Sequence, residues 1–388
     1  MKLRYFAIFI GIILIYCGLS WYIGWNGWIL LSAVTGWDKP GIYAICIFVL
    51  AFAYILGRVG QSTFLRPLAE FLKLIGSYWF AVLEYTLLIL PLANVLSHIL
   101  KSAGVTANIF IVGVGSAAAL LLLLLLLRGS WNAWNPIVRN YSLQIQKKTG
   151  SASLRKLRIA VASDIHLGTV IGNRHLERLI TNVTQINPDL ILLPGDILDD
   201  DIEPFLQKNM APILGKLKAP LGVFAVTGNH EYIGKKVPQF IETMEAIGIQ
   251  VLMDDAVLVQ DSFYLIGRKD KASQGIGGAG GGRKPIQELV ADLDDTLPLI
   301  MMDHQPSDLL NAAENGIDLT LSGHTHRGQM APNHFITKKL FELDWGYKRI
   351  GKLHAVVSSG FGFWGPPVRI GSRSEVLHIE VEFVGAAN

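Results

Sequence analysis

Four long apolar segments in the N-terminal third constrain the fold more than any other feature. They cover residues 3–22, 41–57, 78–96 and 109–127, and each is within the range of about 17 to 25 residues with which an α-helix crosses a bilayer. Charged residues are few up to Leu127 and recur at the density of a globular enzyme from Arg128 onward. We therefore predict an all-α transmembrane module of about four helices, residues 1–128, followed by soluble sequence.

Basic residues predict how this module is oriented. Between the second and third segments lie Arg58, Arg66 and Lys73, and further basic residues precede the first segment or follow the fourth: Lys2, Arg4, Arg128, Arg139, Lys147 and Lys148. The other two connections carry little more than Lys39 and Lys101. Because Lys and Arg are enriched in cytoplasmic loops, both ends of the module and the following domain are expected to face the cytoplasm.

A juxtamembrane linker is predicted for residues 129–153, and a second domain for residues 154–388. The linker contains Trp131 and Trp134 followed by Lys147 and Lys148. Aromatic and basic residues directly after a crossing helix favour contact with an anionic leaflet. This segment is therefore expected to hold the following domain against the membrane.

Glu84 lies inside the third apolar segment, where a carboxylate is expensive and should be protonated, paired or turned toward a cavity. It has two interpretations. One is a polar feature that receives part of a lipid substrate, and the other is a hydrogen bond between packed helices. The second is favoured because polar residues often stabilise helix packing in membranes.

The second domain has a layered α/β pattern. Short apolar runs alternate with amphipathic stretches. The apolar runs are predicted as strands at residues 157–162, 190–193, 222–226, 297–302, 319–321 and 353–357. Five of these strands run directly into polar clusters: Asp164-Ile165-His166, Gly195-Asp196, Gly228-Asn229-His230-Glu231, His304, and Gly323-His324-Thr325-His326. Loops at strand ends of a layered α/β fold meet at one rim, so these side chains are expected to converge.

The residue types in these clusters predict a metal site. If the backbone is extended, Asp164 and His166 point the same way, as do His324 and His326. The only cysteines, Cys17 and Cys46, lie in apolar segments, so the ligands must be oxygen and nitrogen. Such ligands suit Mn, Zn or Fe. Six or seven ligands exceed the needs of one ion and favour two divalent ions roughly 3.5 to 4 Å apart.

Taken in order, the five clusters resemble the complete motif series of the calcineurin-like metallophosphoesterases. The resemblance covers approximately residues 157–382, and the text around His304 and the segment Ser358-Ser359-Gly360-Phe361-Gly362 resemble a bacterial, membrane-attached branch of that family. It implies a four-layer metallophosphoesterase-type β-sandwich flanked by helices. It also implies a multi-pass protein of the bacterial cytoplasmic (inner) membrane.

The resemblance implies a role for each motif residue. Asp164, His166 and His326 would hold one metal ion, and Asn229, His304 and His324 the other. Asp196 would bridge the two ions, and a hydroxide between them would attack phosphorus. His230 would donate a proton to the leaving oxygen, a general-acid role worth about 10² to 10⁴ in rate. The predicted catalytic residues are therefore Asp196, Asn229 and His230.

The leading functional hypothesis is hydrolysis of a phosphodiester or pyrophosphate bond in a lipid-linked substrate at the cytoplasmic membrane surface, where proximity favours an amphiphile. The resemblance makes a nucleotide-linked lipid precursor one candidate. One alternative is a broad phosphodiesterase that acts on soluble nucleotides, with the helices as a tether. Another is a receptor or transporter with an idle metal domain, which the intact Asp196, Asn229 and His230 disfavour.

Other features add few functional assignments. Residues 275–282 contain a Gly-x-Gly-x-x-Gly spacing, but no well-placed strand feeds it, so a nucleotide-binding fold is disfavoured. This loop is either a lid that meets phosphate or an insert. Arg268, beside it, and Arg369 are candidate substrate contacts. The net charge of +3 gives no support to nucleic-acid binding, and no obligate protein partner is evident.

Overall fold

The computed structural model describes residues 2–60, 65–151, 153–275 and 282–385, which fall into two compact units. The helical unit comprises Met1–Ser130 with Gly365–Val368. The α/β unit comprises Trp131–Trp364 with Arg369–Asn388.

The helical unit contains four helices that are long and apolar enough to cross a membrane, as predicted. They are α1 (Lys2–Thr35), α2 (Pro40–Gly60), α3 (Arg66–Ser102) and α4 (Val114–Trp134), the last preceded by a π-helix (Asn108–Gly113). The helices are longer than the predicted apolar segments, because helical hydrogen bonding continues into the more polar residues that flank each segment. Arg66 and Lys73, predicted in a connecting loop, therefore lie on α3.

Helices α2 and α3 approach each other closely at two glycines. A Cβ on Gly76 would lie 2.0 Å from the Tyr54 backbone nitrogen, and one on Gly57 would lie 2.5 Å from that of Lys73. Small residues at such crossings let helices pack in lipid, where no hydrophobic effect drives them together.

The α/β unit is built on two six-stranded sheets. Their strand orders are β1-β12-β2-β3-β4-β5 and β10-β11-β9-β8-β7-β6. The strands are β1 (Ile137–Ile145), β2 (Lys156–Val161), β3 (Leu190–Pro194), β4 (Val223–Val226), β5 (Gln250–Val251), β6 (Asp255–Val259), β7 (Phe263–Gly267), β8 (Leu299–Met302), β9 (Leu319–Ser322), β10 (Gly346–Ile350), β11 (Leu353–Val357) and β12 (Glu375–Phe383). The helices are α5 (Asn173–Ile186), α6 (Glu203–Gln207), α7 (Ala211–Leu214), α8 (Asn229–Ile233), α9 (Val237–Ala246), α10 (Ile286–Val290), α11 (Leu309–Glu314) and α12 (His334–Leu340).

Successive strand residues enter different cores, which gives the unit four layers. In β3, Leu190 and Leu192 join the core between the two sheets, whereas Ile191 joins the core beneath helices α5, α7 and α9. In β8, Ile300 faces the other sheet, and Leu299 packs with residues of α10 and α11. This alternation follows from the two-residue period of a strand. The predicted fold class, helices on the outer faces of a β-sandwich, is confirmed.

Strand β1 lies within the segment that sequence analysis assigns to a juxtamembrane linker. It pairs in parallel with β12 from Ile137 to Ile145. Lys147, expected near lipid headgroups, instead binds Asp318 within the unit, with Nζ 2.8 Å from Oδ2. Only Leu143 and Ile145 of this edge strand are buried, so its composition is mixed and resembles that of a linker.

Parallel pairing brings the ends of the strands that carry the polar clusters to common edges. Strand β2 pairs in parallel with β3, and β3 with β4, while in the other sheet β8 pairs in parallel with β9. The loops that follow these strands therefore lie side by side at their carboxyl ends.

Candidate metal centre

All seven side chains predicted as metal ligands gather at the carboxyl ends of these parallel strands, a region that we call the ligand edge. The loops after β2 and β3 are joined by backbone bonds, in which Asp164 N donates to Gly195 O at 3.0 Å and His166 N to Asp196 O at 3.1 Å. The loop after β9 is attached because His324 N donates to Asp164 Oδ1 at 2.8 Å. The ligand edge consists of Asp164, His166, Asp196, Asn229, His304, His324 and His326.

One cluster at the ligand edge contains Asp164, His166 and His326, all of which are buried. The Nε2 atoms of the two imidazoles face each other at 3.2 Å. His326 Nε2 also lies 3.6 Å from Asp164 Oδ1. Three ligand atoms thus surround one small volume.

A second cluster contains Asp196, Asn229, His304 and His324. Asn229 Oδ1 lies 2.8 Å from His324 Nδ1 and 3.3 Å from His304 Nε2. His304 Nε2 is also 3.0 Å from Asp196 Oδ2. The amide oxygen, the carboxylate and both imidazoles converge on one point.

The first cluster fits a metal cation. Burial lowers the pKa of His166 to about 3 and that of His326 well below its usual value, so both imidazoles are neutral. Asp164 Oδ2 is buried without a hydrogen-bond partner among the described residues. Neutral imidazole is the metal-binding form, and a buried unsatisfied carboxylate oxygen is costly unless a cation or donor meets it.

His304 differs in its protonation. Burial alone would lower the pKa of His304, but the Asp196 carboxylate raises it well above its usual value. A proton therefore joins these two side chains. Metal binding requires neutral histidine, so a cation would take the place of that proton.

His230 lies beside the first cluster and carries a proton. Its ring stands edge to face with that of His166, with centroids 4.7 Å apart. Burial alone would lower the pKa of His230, but the Asp200 carboxylate, 2.7 Å from Nδ1, and the nearby charge of Asp196 raise it to about 9. A protonated imidazole at this position suits a proton donor.

Glu231 fixes the backbone around the second cluster. Its carboxylate accepts hydrogen bonds from the backbone N–H groups of Leu198 at 3.0 Å, Asp196 at 3.2 Å and Gly228 at 2.7 Å. Burial raises the pKa of Glu231 to about 7. The side chain joins the loops after β3 and β4, so it positions Asp196 relative to Asn229.

The backbone of the ligand edge is not extended, contrary to the expectation for the paired ligands. Five ligands have a positive φ: Asp164, His166, Asp196, His324 and His326. Non-glycine residues rarely adopt this conformation, which concentrates at functional sites. The bonds between neighbouring loops maintain it and turn the paired side chains toward the clusters.

At two positions directly before a predicted ligand, only glycine fits, because a carboxylate oxygen lies where a Cβ atom would be. A Cβ on Gly228 would lie 2.1 Å from Asp196 Oδ1, and one on Gly323 would lie 2.1 Å from Asp164 Oδ2. Neither position has room for a side chain. The ligand carboxylates occupy that space.

Arg268 and Arg369, predicted as substrate contacts, are instead buried and bonded within the protein. Arg268 Nη1 lies 2.8 Å from Asp308 Oδ2 and 3.2 Å from Asp303 Oδ2. Arg369, which is 0% exposed, donates to the Ser359 carbonyl oxygen at 2.7 Å and has Nη2 3.1 Å from His326 Nδ1. Contact of these two arginines with a substrate stays a prediction, and their burial could not be read from residue type alone.

The glycine-rich loop lies outside the described residues at positions 276–281, so its predicted role as a lid stays a prediction. Its flanks are described. Arg283 binds Asp303, and Lys284 N donates to Asp254 Oδ2 at 3.0 Å. The Asp303 carboxylate thus offsets the positive charge of Arg283, whereas the bond at Lys284 fixes only its backbone.

Trp364 is a second aromatic neighbour of His230. Its ring is 59% exposed and lies 6.1 Å from that of His230. The Gln329 amide holds its backbone, because Oε1 accepts from Trp364 N at 3.0 Å and Nε2 donates to Trp364 O at 2.9 Å.

Gln329 and Asp200 were not predicted from the sequence. The acidic run after Gly195-Asp196 was the only signal for Asp200.

Comparisons with known proteins agree with this geometry. The family model described as calcineurin-like phosphoesterase matches residues 157–328. An uncharacterized metallophosphoesterase of Aquifex aeolicus is 30% identical over 254 residues, which cover 64% of this chain and 92% of that protein. The chain therefore belongs to the calcineurin-like metallophosphoesterase family.

Two vertebrate relatives also resemble the chain. A transmembrane protein with metallophosphoesterase domain from Danio rerio is 28% identical over 348 residues, 87% of this chain and 71% of that protein. A protein of the same description from Bos taurus is 29% identical over 238 residues, and the match spans 58% of this chain and about half, 53%, of that relative. By class, the chain is a metal-dependent phosphoester hydrolase that carries four helices long and apolar enough to cross a membrane.

Proposed function

We propose that this protein hydrolyses a phosphodiester or pyrophosphate bond in a lipid-linked substrate at the cytoplasmic face of a bacterial inner membrane. The observation that carries the proposal is the presence, in one chain, of a complete ligand edge and four helices able to cross a bilayer. An enzyme confined to a membrane meets amphiphiles at high local concentration, whereas soluble substrates gain nothing from that confinement.

Two divalent metal ions, Mn, Zn or Fe, would be held by the two clusters. Asp164, His166 and His326 would bind one ion, and Asn229, His304 and His324 the other, with Asp196 shared between them. Ions bound there would withdraw charge from a phosphoryl group and make a water molecule a nucleophile at neutral pH. The protein's part is to fix the ligands, which Glu231 and the joined loops do.

His230 would protonate the leaving oxygen. Its Nδ1 atom faces Asp200, so Nε2 is the ring nitrogen left to act on a substrate. Asp200 keeps the imidazole protonated and fixes its orientation. Asp200 is therefore a positioning residue, and His230 is the catalytic acid.

The cytoplasmic orientation rests on the basic residues of the helical unit. Arg58, at the end of α2, and Arg66, at the start of α3, belong to the same connection. By the enrichment of Lys and Arg on the cytoplasmic side, this connection would face the cytoplasm.

The function is tested with the full-length protein in nanodiscs, supplied with Mn, Zn or Fe and a chromogenic phosphodiester. Asn229→Ala should abolish metal-dependent turnover, and His230→Asn should lower it about 10²- to 10⁴-fold. Asn140→Ala and His378→Asn, which change the same residue types on β1 and β12, should leave it unchanged. Equal rates in all four variants, or turnover that survives chelation, would refute a catalytic metal centre.

The substrate class needs a second measurement. The active protein is incubated with a membrane lipid extract, and mass spectrometry identifies which phosphorylated lipid disappears. A lipid consumed by the native protein but not by Asn229→Ala supports the proposal. Turnover of soluble nucleotides together with an unaltered lipid profile would instead assign the protein to soluble phosphodiesters.

A further inference from the structure

Helix α12 exposes three large apolar side chains next to the ligand edge. Phe335 is 62% exposed, Ile336 59% and Leu340 71%. Thr337, within the same helix, is bound to the body of the unit through Asp344, with Oγ1 2.8 Å from Oδ2. Soluble proteins seldom expose adjacent large apolar residues, and such groups mark contact surfaces for proteins or membranes.

The same helix carries positive charge. Lys338 and Lys339 are exposed and lie between the apolar residues in sequence. A short helix with exposed apolar side chains and lysines is typical of segments that lie in the headgroup region of an anionic membrane. There the lysine stems lie along apolar surface while the ammonium groups meet lipid phosphates.

The chain connection keeps the α/β unit attached close to a candidate membrane span. The fourth candidate span runs from Asn108 to Trp134, and β1 begins at Ile137, so only Asn135 and Pro136 separate a membrane-crossing helix from the first sheet. A connection of two residues spans only a few ångströms, so the α/β unit stays tethered at the end of that span in any orientation. A lipid leaflet is therefore always within reach.

Helix α12 is also coupled to the metal ligands. Phe341 directly follows the helix, and its ring lies edge to face with that of His324, with centroids 5.6 Å apart. A helix seated in the headgroup layer would thus place the ligand edge beside the leaflet.

We propose that α12 is a membrane-docking surface, in which Phe335, Ile336 and Leu340 enter the headgroup layer of an anionic leaflet and Lys338 and Lys339 bind its phosphates. This surface is distinct from the membrane-crossing helices. It orients the α/β unit on the membrane, whereas those helices anchor the chain.

The test places a fluorescent label on α12 in the full-length protein. The starting protein carries Cys17→Ser and Cys46→Ser, so that Ile336→Cys is labelled alone. The matched control is Leu310→Cys on α11, because Leu310 is 58% exposed and Ile336 59%. Each protein is reconstituted into nanodiscs of phosphatidylcholine with phosphatidylglycerol, with or without spin-labelled lipid.

We expect spin-labelled lipid to quench most of the fluorescence at position 336 and little at position 310. Equal quenching at the two positions would overturn the proposal. So would a label at 336 that is shielded from a water-soluble quencher but not quenched by lipid, since a second protein copy would then cover α12.

The charged part is tested by Lys338→Glu with Lys339→Glu. Quenching at position 336 should fall in discs containing phosphatidylglycerol and approach the value in phosphatidylcholine alone. Unchanged quenching would overturn the choice of an anionic leaflet. These readouts do not require hydrolysis, so failure of the proposed function and failure of docking are separate results.

Discussion

Two leucines show how differently the two units use apolar side chains. Leu123, on α4, exposes 51% of its surface, whereas Leu192, on β3, exposes 0%. The most apolar window of Asn108–Trp134 has no buried residue, while all five residues of β3 are buried. The apolar side chains of α4 thus stay exposed after folding, as those of a membrane-crossing helix would, whereas the α/β unit buries its apolar side chains in its own core. The length of the apolar run distinguishes the two cases.

The largest expected effect compares one glycine in each unit. Gly323→Ala should lower phosphodiester turnover at least about a hundredfold, because the new Cβ would lie 2.1 Å from Asp164 Oδ2 and displace a ligand. Gly18→Ala should have no effect, since nothing lies within 4 Å of a Cβ there. Steady-state kinetics and bound-metal content measure both. Normal metal content in Gly323→Ala would contradict the assigned ligand edge.

The boundary between the units can be tested by truncation. A chain that starts at residue 131 keeps β1. A chain that starts at residue 154 loses β1 and leaves β12 paired only with β2. Leu143 and Ile145 of β1 are buried, so their loss should cost about 3 to 6 kcal/mol of unfolding free energy. Urea unfolding followed by circular dichroism measures the difference. Equal stability of the two chains would show that β1 is dispensable.

Replacing Leu192 and Leu123 by alanine compares how much each environment contributes to stability. Leu192→Ala should destabilise the α/β unit by about 2 to 5 kcal/mol, because it leaves a cavity between the sheets. Leu123→Ala should change stability by no more than about 0.5 kcal/mol, since lipid fills the space. Thermal unfolding of the full-length protein in nanodiscs, followed by amide exchange in each unit, reports both changes. Similar losses would imply that α4 packs against protein.

The smallest expected effect on stability compares one aspartate in each unit, Asp189 and Asp38. Asp189 accepts hydrogen bonds from Arg158, with Nη2 2.8 Å from Oδ1, and this partner lowers the pKa of Asp189 although burial works against it. The pair therefore stabilises the fold above the unfolded pKa of about 3.9, and the contribution is lost as pH falls through the lower folded pKa.

Asp189→Asn should cost at most about 1 kcal/mol at neutral pH and less in acid. Asp38→Asn removes an exposed pair with Lys39 in the helical unit and should have no measurable effect. Unfolding free energies measured from neutral to acidic pH test both variants. A cost for Asp189→Asn that does not shrink in acid would contradict the pairing.

Strands buried on both faces were predictable, and edge or amphipathic strands were not. The runs at residues 190–193 and 353–357 coincide with β3 and β11 because continuous apolar sequence marks a strand covered on both sides. Strand β12 was missed since Glu380 and Glu382 interrupt its apolar residues. Its alternation carried a signal that a search for apolar runs does not detect.

The convergence of the predicted ligand residues was predictable because they follow strands whose carboxyl ends meet in the fold, and their binding of metal stays a prediction. Their supporting residues were not predictable. Asp200 contacts His230, and Gln329 holds Trp364, only through the three-dimensional fold. Any acceptor or amide with the right position could serve, so no sequence pattern identifies them.

The position of β12 has a consequence for biosynthesis. This strand lies between β1 and β2, so the first sheet remains divided until residue 383 has left the ribosome. The apolar helices and every ligand loop are translated before that point. Membrane insertion can therefore precede closure of the sheet, and the nascent enzyme would reach the bilayer before it becomes competent.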